Sequence, residues 1–154
     1  MPETIKVNYK QVENFCLEIF KDISKTKFQP DCVIGVSVGG VFPAIHFARL
    51  FNTKNLLTIA VKSYDGKKRK EIQVINLPKK ESLLGKKVLL IDDISDSGST
   101  LKFIVNLLKK DYKVKDIKTI TIFVNEGHCK YYPDFYSKKV NKWLDFPWDR
   151  FEKK

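Results

Sequence analysis

The stretch that decides the fold is VLLIDDISDSGST, residues 88–100. It begins with an apolar run typical of a buried strand, and two adjacent carboxylates, Asp92 and Asp93, follow that run. After a third acid, Asp96, small residues stand at the predicted start of a helix, namely Ser97, Gly98, Ser99 and Thr100. Such a helix start is a phosphate cradle, because unpaired backbone N–H groups and the positive end of the helix dipole face one point.

The acids beside this cradle need a separate explanation, since carboxylates repel a phosphate. They fit if sugar hydroxyls, a Mg²⁺ ion or a proton in transit also occupies the site. An ordinary strand end with an Asp-rich N-cap would account for Asp96 or Ser97 singly, but not for the whole set. The segment therefore predicts a site for a phosphorylated sugar.

The same segment resembles the phosphoribosyl-pyrophosphate (PRPP) signature of the type I phosphoribosyltransferases. The chain contains neither a P-loop nor a dinucleotide-binding G-x-G-x-x-G, the other common phosphate motifs. The resemblance implies that Asp92 and Asp93 hold ribose hydroxyls and that Asp93 also contacts Mg²⁺, which neutralises the pyrophosphate leaving group. It further implies that residues 96–100 bind the 5-phosphate and that Asp96 takes or shares the proton of the attacking ring nitrogen.

Apolar periodicity along the rest of the chain predicts strands that alternate with helices. We expect helices over 9–25, after Gly40 and after residue 98, and strands at 32–37, 56–61, 71–78, 88–94, 117–124 and 142–146. This order predicts an α/β fold with a parallel sheet flanked by helices on both faces, in one domain over residues 1–154.

Two loops extend the resemblance. The first loop is GVSVGGVFP, residues 35–43, and its glycines fit either a plain tight turn or an anion-binding loop. It resembles the family's pyrophosphate loop. The resemblance implies that Val38 and Gly39 bind PRPP through their backbone N–H groups. Relatives often carry Arg where this chain has Val38. Residues 61–71 are either a solvated basic hairpin or the family's flexible hood, with Lys70 as the pyrophosphate-binding cation.

The aromatic C-terminal tail NKWLDFPWDRFEKK is costly to leave in water, so it would close the core or an oligomer interface. It also resembles the K-W-x-x-F-P-W-[DE] ending of bacterial and archaeal 6-oxopurine phosphoribosyltransferases. That likeness implies that Trp143 stacks on the purine and that the backbone of Leu144 binds its edge, whereas Trp148 packs structurally. Relatives place a Lys on the 6-oxo group at a position where this chain has Asn125, an amide donor, followed by Glu126.

The composition limits the remaining classes of function. Net charge +11 comes from lysines spread along the chain, and we attribute it to solubility and to steering of a polyanionic substrate rather than to nucleic-acid binding. No apolar run is long enough to span a membrane, and the polar N-terminus lacks a secretory signal. Three cysteines without C-x-x-C spacing predict reduced thiols and a cytoplasmic protein.

These observations and the resemblance lead to one hypothesis with two alternatives. The expected activity is transfer of ribose 5-phosphate from PRPP to a purine base (hypoxanthine, guanine or xanthine), with release of pyrophosphate, by a homo-oligomer (dimer or tetramer). A PRPP-binding regulator with an RNA-binding basic surface is the first alternative. A phosphoribosyltransferase for another base, such as adenine, is the second.

Overall fold

The computed structural model describes residues 3–65 and 70–153, and these form a mostly parallel sheet flanked by helices. The helices are α1 (Tyr9–Ser24), α2 (Val41–Leu50) and α3 (Ser99–Lys110), with short 3-10 helices at Lys80–Ser82 and Pro147–Asp149. The strands are β1 (Thr4–Lys6), β2 (Cys32–Ser37), β3 (Leu56–Asp65), β4 (Lys70–Asn76), β5 (Lys87–Ser95), β6 (Asp116–Asn125), β7 (Phe135–Val140) and β8 (Trp143–Asp145).

The main sheet has the strand order β4-β3-β2-β5-β6-β7, and every pair is parallel except the β3–β4 hairpin. The chain moves outward in opposite directions from β2 and from β5. These two strands therefore flank a topological switch point, where open α/β sheets bind their ligands. The loop that follows β2 lies within residues 35–43, which we call the glycine-rich loop. The loop that follows β5 lies within residues 88–100, which we call the PRPP-like segment.

Helices cover both faces of the sheet, as the sequence predicts. Alternate residues of β5 point to opposite sides, so Leu89 and Ile91 join the core under α1 and α2, whereas Val88 and Leu90 join the core under α3. The helix predicted over 9–25 is confirmed, with its capping box at Asn8. Its buried residues recur at helical spacing and are Val12, Cys16, Ile19 and Ile23.

Two strands do not follow from the sequence pattern. β1 has three residues, too few for a period, and it forms a separate two-stranded sheet with β8. β7 is an edge strand of the main sheet that carries Lys138 and Lys139, and none of its residues is buried. An edge strand needs backbone pairing on one side only, so its sequence carries little apolar signal.

Burial explains the behaviour of two cysteines. It raises the pKa of Cys16 to about 12 and that of Cys32 to about 11, so both thiols are protonated and unreactive at neutral pH. No disulfide links the cysteines, all of which lie in the described part of the chain. Within the described ranges, no helix has the length and apolar character required to cross a bilayer.

Candidate functional site

Two pockets open at the carboxyl ends of β5 and β6. The first is lined by Ser63, Ile72, Asp92, Ile94, Ser95, Asp96, Ser97, Gly98, Ser99, Thr100 and Leu101. The second is lined by Asp93, Ile94, Asp96, Asn125, His128, Asn141, Lys142, Trp143, Leu144, Phe146 and Asp149. We call them the loop pocket and the aromatic cleft. Because Ile94 and Asp96 line both, molecules bound in the two pockets would meet at these residues.

The loop pocket surrounds the first turn of α3. Gly98 precedes this helix with φ of 89°, a left-handed conformation that turns the chain sharply from β5 into α3. Ser97 Oγ accepts from the Ser99 N–H at 3.2 Å and donates to Ser99 Oγ at 2.9 Å. The other N–H groups of the first turn have no partner one turn earlier in the helix, so they remain available for an anion.

Residues 130–131, which follow β6, form hydrogen bonds that fix the position of this loop. Ser95 Oγ donates to the Tyr131 carbonyl at 3.1 Å, and the Lys130 N–H donates to the Ser97 carbonyl at 2.9 Å. Gly98 packs so closely on Tyr131 that an added Cβ would lie 2.8 Å from the Tyr131 nitrogen. Nothing in the sequence indicates this support, because the contacts join segments more than 30 residues apart.

Asp92 and Asp93 point into different pockets, as adjacent residues of a strand do. Asp92 Oδ1 accepts from the Asp93 N–H at 2.8 Å, and Asp93 Oδ1 accepts from the Ile94 N–H at 2.7 Å. Burial raises the pKa of both carboxyl groups, and the neighbouring charge of Asp93 raises the pKa of Asp92 further. The two ionised carboxylates therefore carry an electrostatic cost that sugar hydroxyls or a cation would relieve.

Replacing Asp92 by Asn should stabilise the ligand-free protein. Because folding raises the pKa of this acid, the folded state binds the proton more tightly, and stability rises as the pH falls through the folded pKa. At neutral pH, Asp92→Asn should remove this cost and raise the free energy of unfolding by roughly 1 kcal/mol or more. Denaturant unfolding at pH 7 measures the change, with Asp111→Asn, which alters an exposed acid at the end of α3, as the control. An unfolding midpoint at or below that of the parent would contradict the argument.

The glycine-rich loop after β2 lies against these acids. The Gly40 N–H donates to the Val36 carbonyl at 2.9 Å, and the peptide bond between Ser37 and Val38 is cis. An added Cβ at Gly39 would collide with Asp93 Oδ2, so only glycine allows this approach. The Val38 side chain is 70% exposed. The structure thus brings Gly39 against Asp93, and the PRPP contacts expected for Val38 and Gly39 stay predictions.

Aromatic rings of the C-terminal tail form one wall of the cleft. Trp148 stacks between Phe42, at 5.2 Å, and Phe146, at 4.8 Å, which confirms the packing role expected for it. Its buried indole N–H lies beside the Asp93 carboxyl group without an aligned hydrogen bond among the described residues, and it partly offsets the rise in the Asp93 pKa. Trp143 is 63% exposed and lines the cleft, whereas Leu144 is buried.

The far wall of the cleft is made by the end of β6 and the turn after it. Asn125 Nδ2 donates to Asp96 Oδ1 at 2.7 Å, and His128 Nδ1 lies 3.4 Å from the same oxygen. Lys142 also lines the cleft, and its Nζ forms an ion pair with Glu3 Oε2 at 2.7 Å. Glu126 is exposed and does not line the cleft as the structure describes it.

The expected hood is seen in part. β3 and β4 form an antiparallel hairpin in which Tyr64 Oη donates to Glu71 Oε2 at 2.6 Å. Two hairpin residues, Ser63 and Ile72, line the loop pocket. The tip at 66–69 and the side chain of Lys70 lie outside the described residues, so the roles expected for them stay predictions.

Comparison with known proteins agrees with this geometry. The family model of the phosphoribosyl transferase domain matches residues 8–153. The chain is 32% identical to xanthine-guanine phosphoribosyltransferase of Idiomarina loihiensis over 120 residues, which are 76% of this chain and 70% of that protein. A purine phosphoribosyltransferase structure from Pyrococcus horikoshii aligns with a TM-score of 0.82 and 27% identity, over 98% of this chain and 97% of the other. A Helicobacter pylori xanthine-guanine-hypoxanthine phosphoribosyltransferase shares the fold, with a TM-score of 0.84 at 22% identity, over 96% and 95% of the two chains.

Proposed function

We propose that this chain, which belongs to the phosphoribosyl transferase domain family, transfers ribose 5-phosphate from PRPP to a purine base and releases pyrophosphate. The observation that carries the proposal is the meeting of the two pockets at Ile94 and Asp96. An anion-binding helix start lies on one side of these residues and an aromatic cleft on the other. A bond between a sugar phosphate and a flat heterocycle would form where they meet.

Each part of PRPP would be bound by residues whose chemistry suits it. The 5-phosphate binds at the start of α3 through the small polar residues of the loop, which are Asp96, Ser97, Gly98, Ser99 and Thr100. Asp92 and Asp93 accept hydrogen bonds from the ribose hydroxyls, which favour the ionised carboxylates that burial disfavours. The backbone N–H groups of Val38 and Gly39, together with Lys70, bind the pyrophosphate.

The two acids also suit a Mg²⁺ ion, which prefers oxygen ligands. Asp92 and Asp93 are neighbouring residues whose pKa values are both raised by burial, so a bound cation would offset the cost of their negative charge. We assign the contact to Asp93, directly or through water. The phosphate and hydroxyl oxygens of PRPP would supply further ligands. When bound, Mg²⁺ neutralises charge on the departing pyrophosphate.

The base occupies the aromatic cleft. Trp143 offers an exposed ring for stacking on the purine, and the backbone of Leu144 binds the purine edge. Asn125 keeps one amide hydrogen and its carbonyl oxygen free of the Asp96 contact, so it can still bind the base. Asp96 accepts the proton that the attacking ring nitrogen loses. We propose the 6-oxopurines, namely hypoxanthine, guanine and xanthine, as substrates, with adenine as the alternative.

A panel of bases tests this function. The protein is incubated with PRPP, Mg²⁺ and each of hypoxanthine, guanine, xanthine, adenine and uracil, and both nucleotide and pyrophosphate are measured. We expect turnover with at least one 6-oxopurine and none with uracil. Tight PRPP binding without turnover of any base would contradict the enzyme and favour the regulator. Preferred turnover of adenine would favour the second alternative.

Removing the stacking ring should weaken the binding of every base to the same extent. Trp143→Ala should cost roughly 1–3 kcal/mol of base affinity for each base, because stacking tolerates different ring substituents. Steady-state KM values and calorimetry measure the change. Phe151→Ala is the matched control, since Phe151 is an exposed aromatic residue of the same tail outside the cleft. An effect confined to one base would mean that Trp143 selects the base and does not simply stack on it.

The proposal also covers the cellular location and the oligomeric state of the enzyme. We place it in the cytoplasm, where its buried, protonated thiols stay reduced. We also propose a homo-oligomer, a dimer or a tetramer. Exposed apolar side chains near the glycine-rich loop support this assembly, namely Tyr9, Val38, Phe42 and Ile45.

A further inference from the structure

The Asp96 carboxyl group is held by two side chains from one turn. Asn125 donates to Asp96 Oδ1 at 2.7 Å, and His128 Nδ1 lies 3.4 Å from the same atom. We propose that His128 is a positioning residue that, together with Asn125, orients Asp96 toward the base. This inference rests on the proposed function, in which Asp96 accepts the proton of the attacking nitrogen.

The turn after β6 fixes where the imidazole lies. Both the His128 N–H, at 3.2 Å, and the Cys129 N–H, at 2.8 Å, donate to the Asn125 carbonyl, so residues 125–129 close into a tight turn. Asn125 itself is the last residue of β6, where it pairs in register with Val140 of β7. The two donors thus come from one short backbone unit anchored to the main sheet, and a shift of one would move the other.

The contacts leave the other carboxylate oxygen for the substrate. Within the described ranges, Asp96 Oδ2 has no hydrogen-bond partner, while Asp96 lines both pockets. The Asp96 side chain is 58% exposed, so burial does not hold its carboxyl group at one angle. The terminal torsion of Asp is broad when nothing restrains it. Hydrogen bonds to Oδ1 supply that restraint, and they direct Oδ2 toward the proton it accepts.

The contact of His128 needs a proton on Nδ1. The neutral tautomer with the proton on Nδ1 donates a hydrogen bond, and the charged imidazolium forms an ion pair at the same distance. The 3.4 Å separation is long for a hydrogen bond, and catalytic contacts of this kind shorten when the reacting complex forms. We therefore expect the effect of His128 to be seen in turnover and not in substrate binding.

The test compares three variants of the full protein. His128→Ala removes the contact, whereas His128→Asn keeps an N–H donor close to the position of Nδ1. The matched control is His46→Ala, because His46 is the other histidine of the chain and lies on α2 outside both pockets. Steady-state kcat and the KM values for base and PRPP are measured with Mg²⁺, and PRPP affinity is measured by calorimetry.

We expect His128→Ala to lower kcat by roughly tenfold, as loss of a hydrogen bond to a charged group does, with the KM for PRPP unchanged. His128→Asn should recover most of kcat, and His46→Ala should match the parent. Unchanged kcat in His128→Ala would overturn the inference, and so would a His128→Asn variant as slow as His128→Ala. A parent protein that turns over no base would instead contradict the proposed function, so the two failures are distinct.

Discussion

Asp96→Asn is expected to lower kcat by roughly two to four orders of magnitude, which is the range that general acid–base catalysis contributes. Among the described residues, Asp96 is the one acid that lines both pockets, so it lies where the sugar and the base would meet. Asn has nearly the same shape, and its carbonyl oxygen can still accept the hydrogen bond from Asn125. What is lost is the basic oxygen that takes a proton. PRPP binding through the backbone of the loop should therefore persist.

Initial rates with the preferred base and calorimetry with PRPP separate these effects. The control is Asp111→Asn, which changes an acid at the opposite end of α3 and should leave kcat and PRPP affinity unchanged. Asp96→Asn activity within a few-fold of the parent would show that another group accepts the proton. Equal losses of turnover and PRPP affinity would assign Asp96 to substrate binding instead.

Short local patterns made much of the fold predictable. The capping residue Asn8 and the apolar spacing behind it identify α1, and the PRPP-like segment identifies β5 together with the start of α3. These elements are determined by residues that are neighbours in sequence, where periodicity and capping chemistry act. The parallel order follows from the alternation of strands and helices, and the structure confirms it.

Contacts between distant segments were not predictable in the same way. The sequence singles out Asn125 as a group that binds the base, whereas its amide donates to Asp96, which lies 29 residues earlier. The support of Gly98 by Tyr131 and the position of Trp148 beside Asp93 also depend on how separate elements pack. Such contacts leave no periodic signal, because each involves one residue and its partner can lie anywhere along the chain.

Gly98→Ala is the second change for which we expect a large effect, on both stability and PRPP affinity. Gly98 has φ of 89°, and an added Cβ would lie 2.6 Å from the Tyr131 Cβ and 2.8 Å from its backbone nitrogen. The backbone of Tyr131 cannot move away easily, because the N–H of the adjacent Lys130 donates a hydrogen bond to the Ser97 carbonyl. The loop would have to shift, which should cost roughly 2–4 kcal/mol of stability and weaken PRPP binding by at least about tenfold.

Gly85→Ala separates the collision from the backbone strain. Gly85 also has a positive φ, 69°, but an added Cβ there would meet nothing within 4 Å. Only the strain of a left-handed residue applies at this position, about 1 kcal/mol, and PRPP affinity should be unchanged. Denaturant unfolding and PRPP calorimetry on both variants give the comparison. If the two variants lose equal stability and both bind PRPP like the parent, then Tyr131 does not fix the loop, and the phosphate would be bound elsewhere.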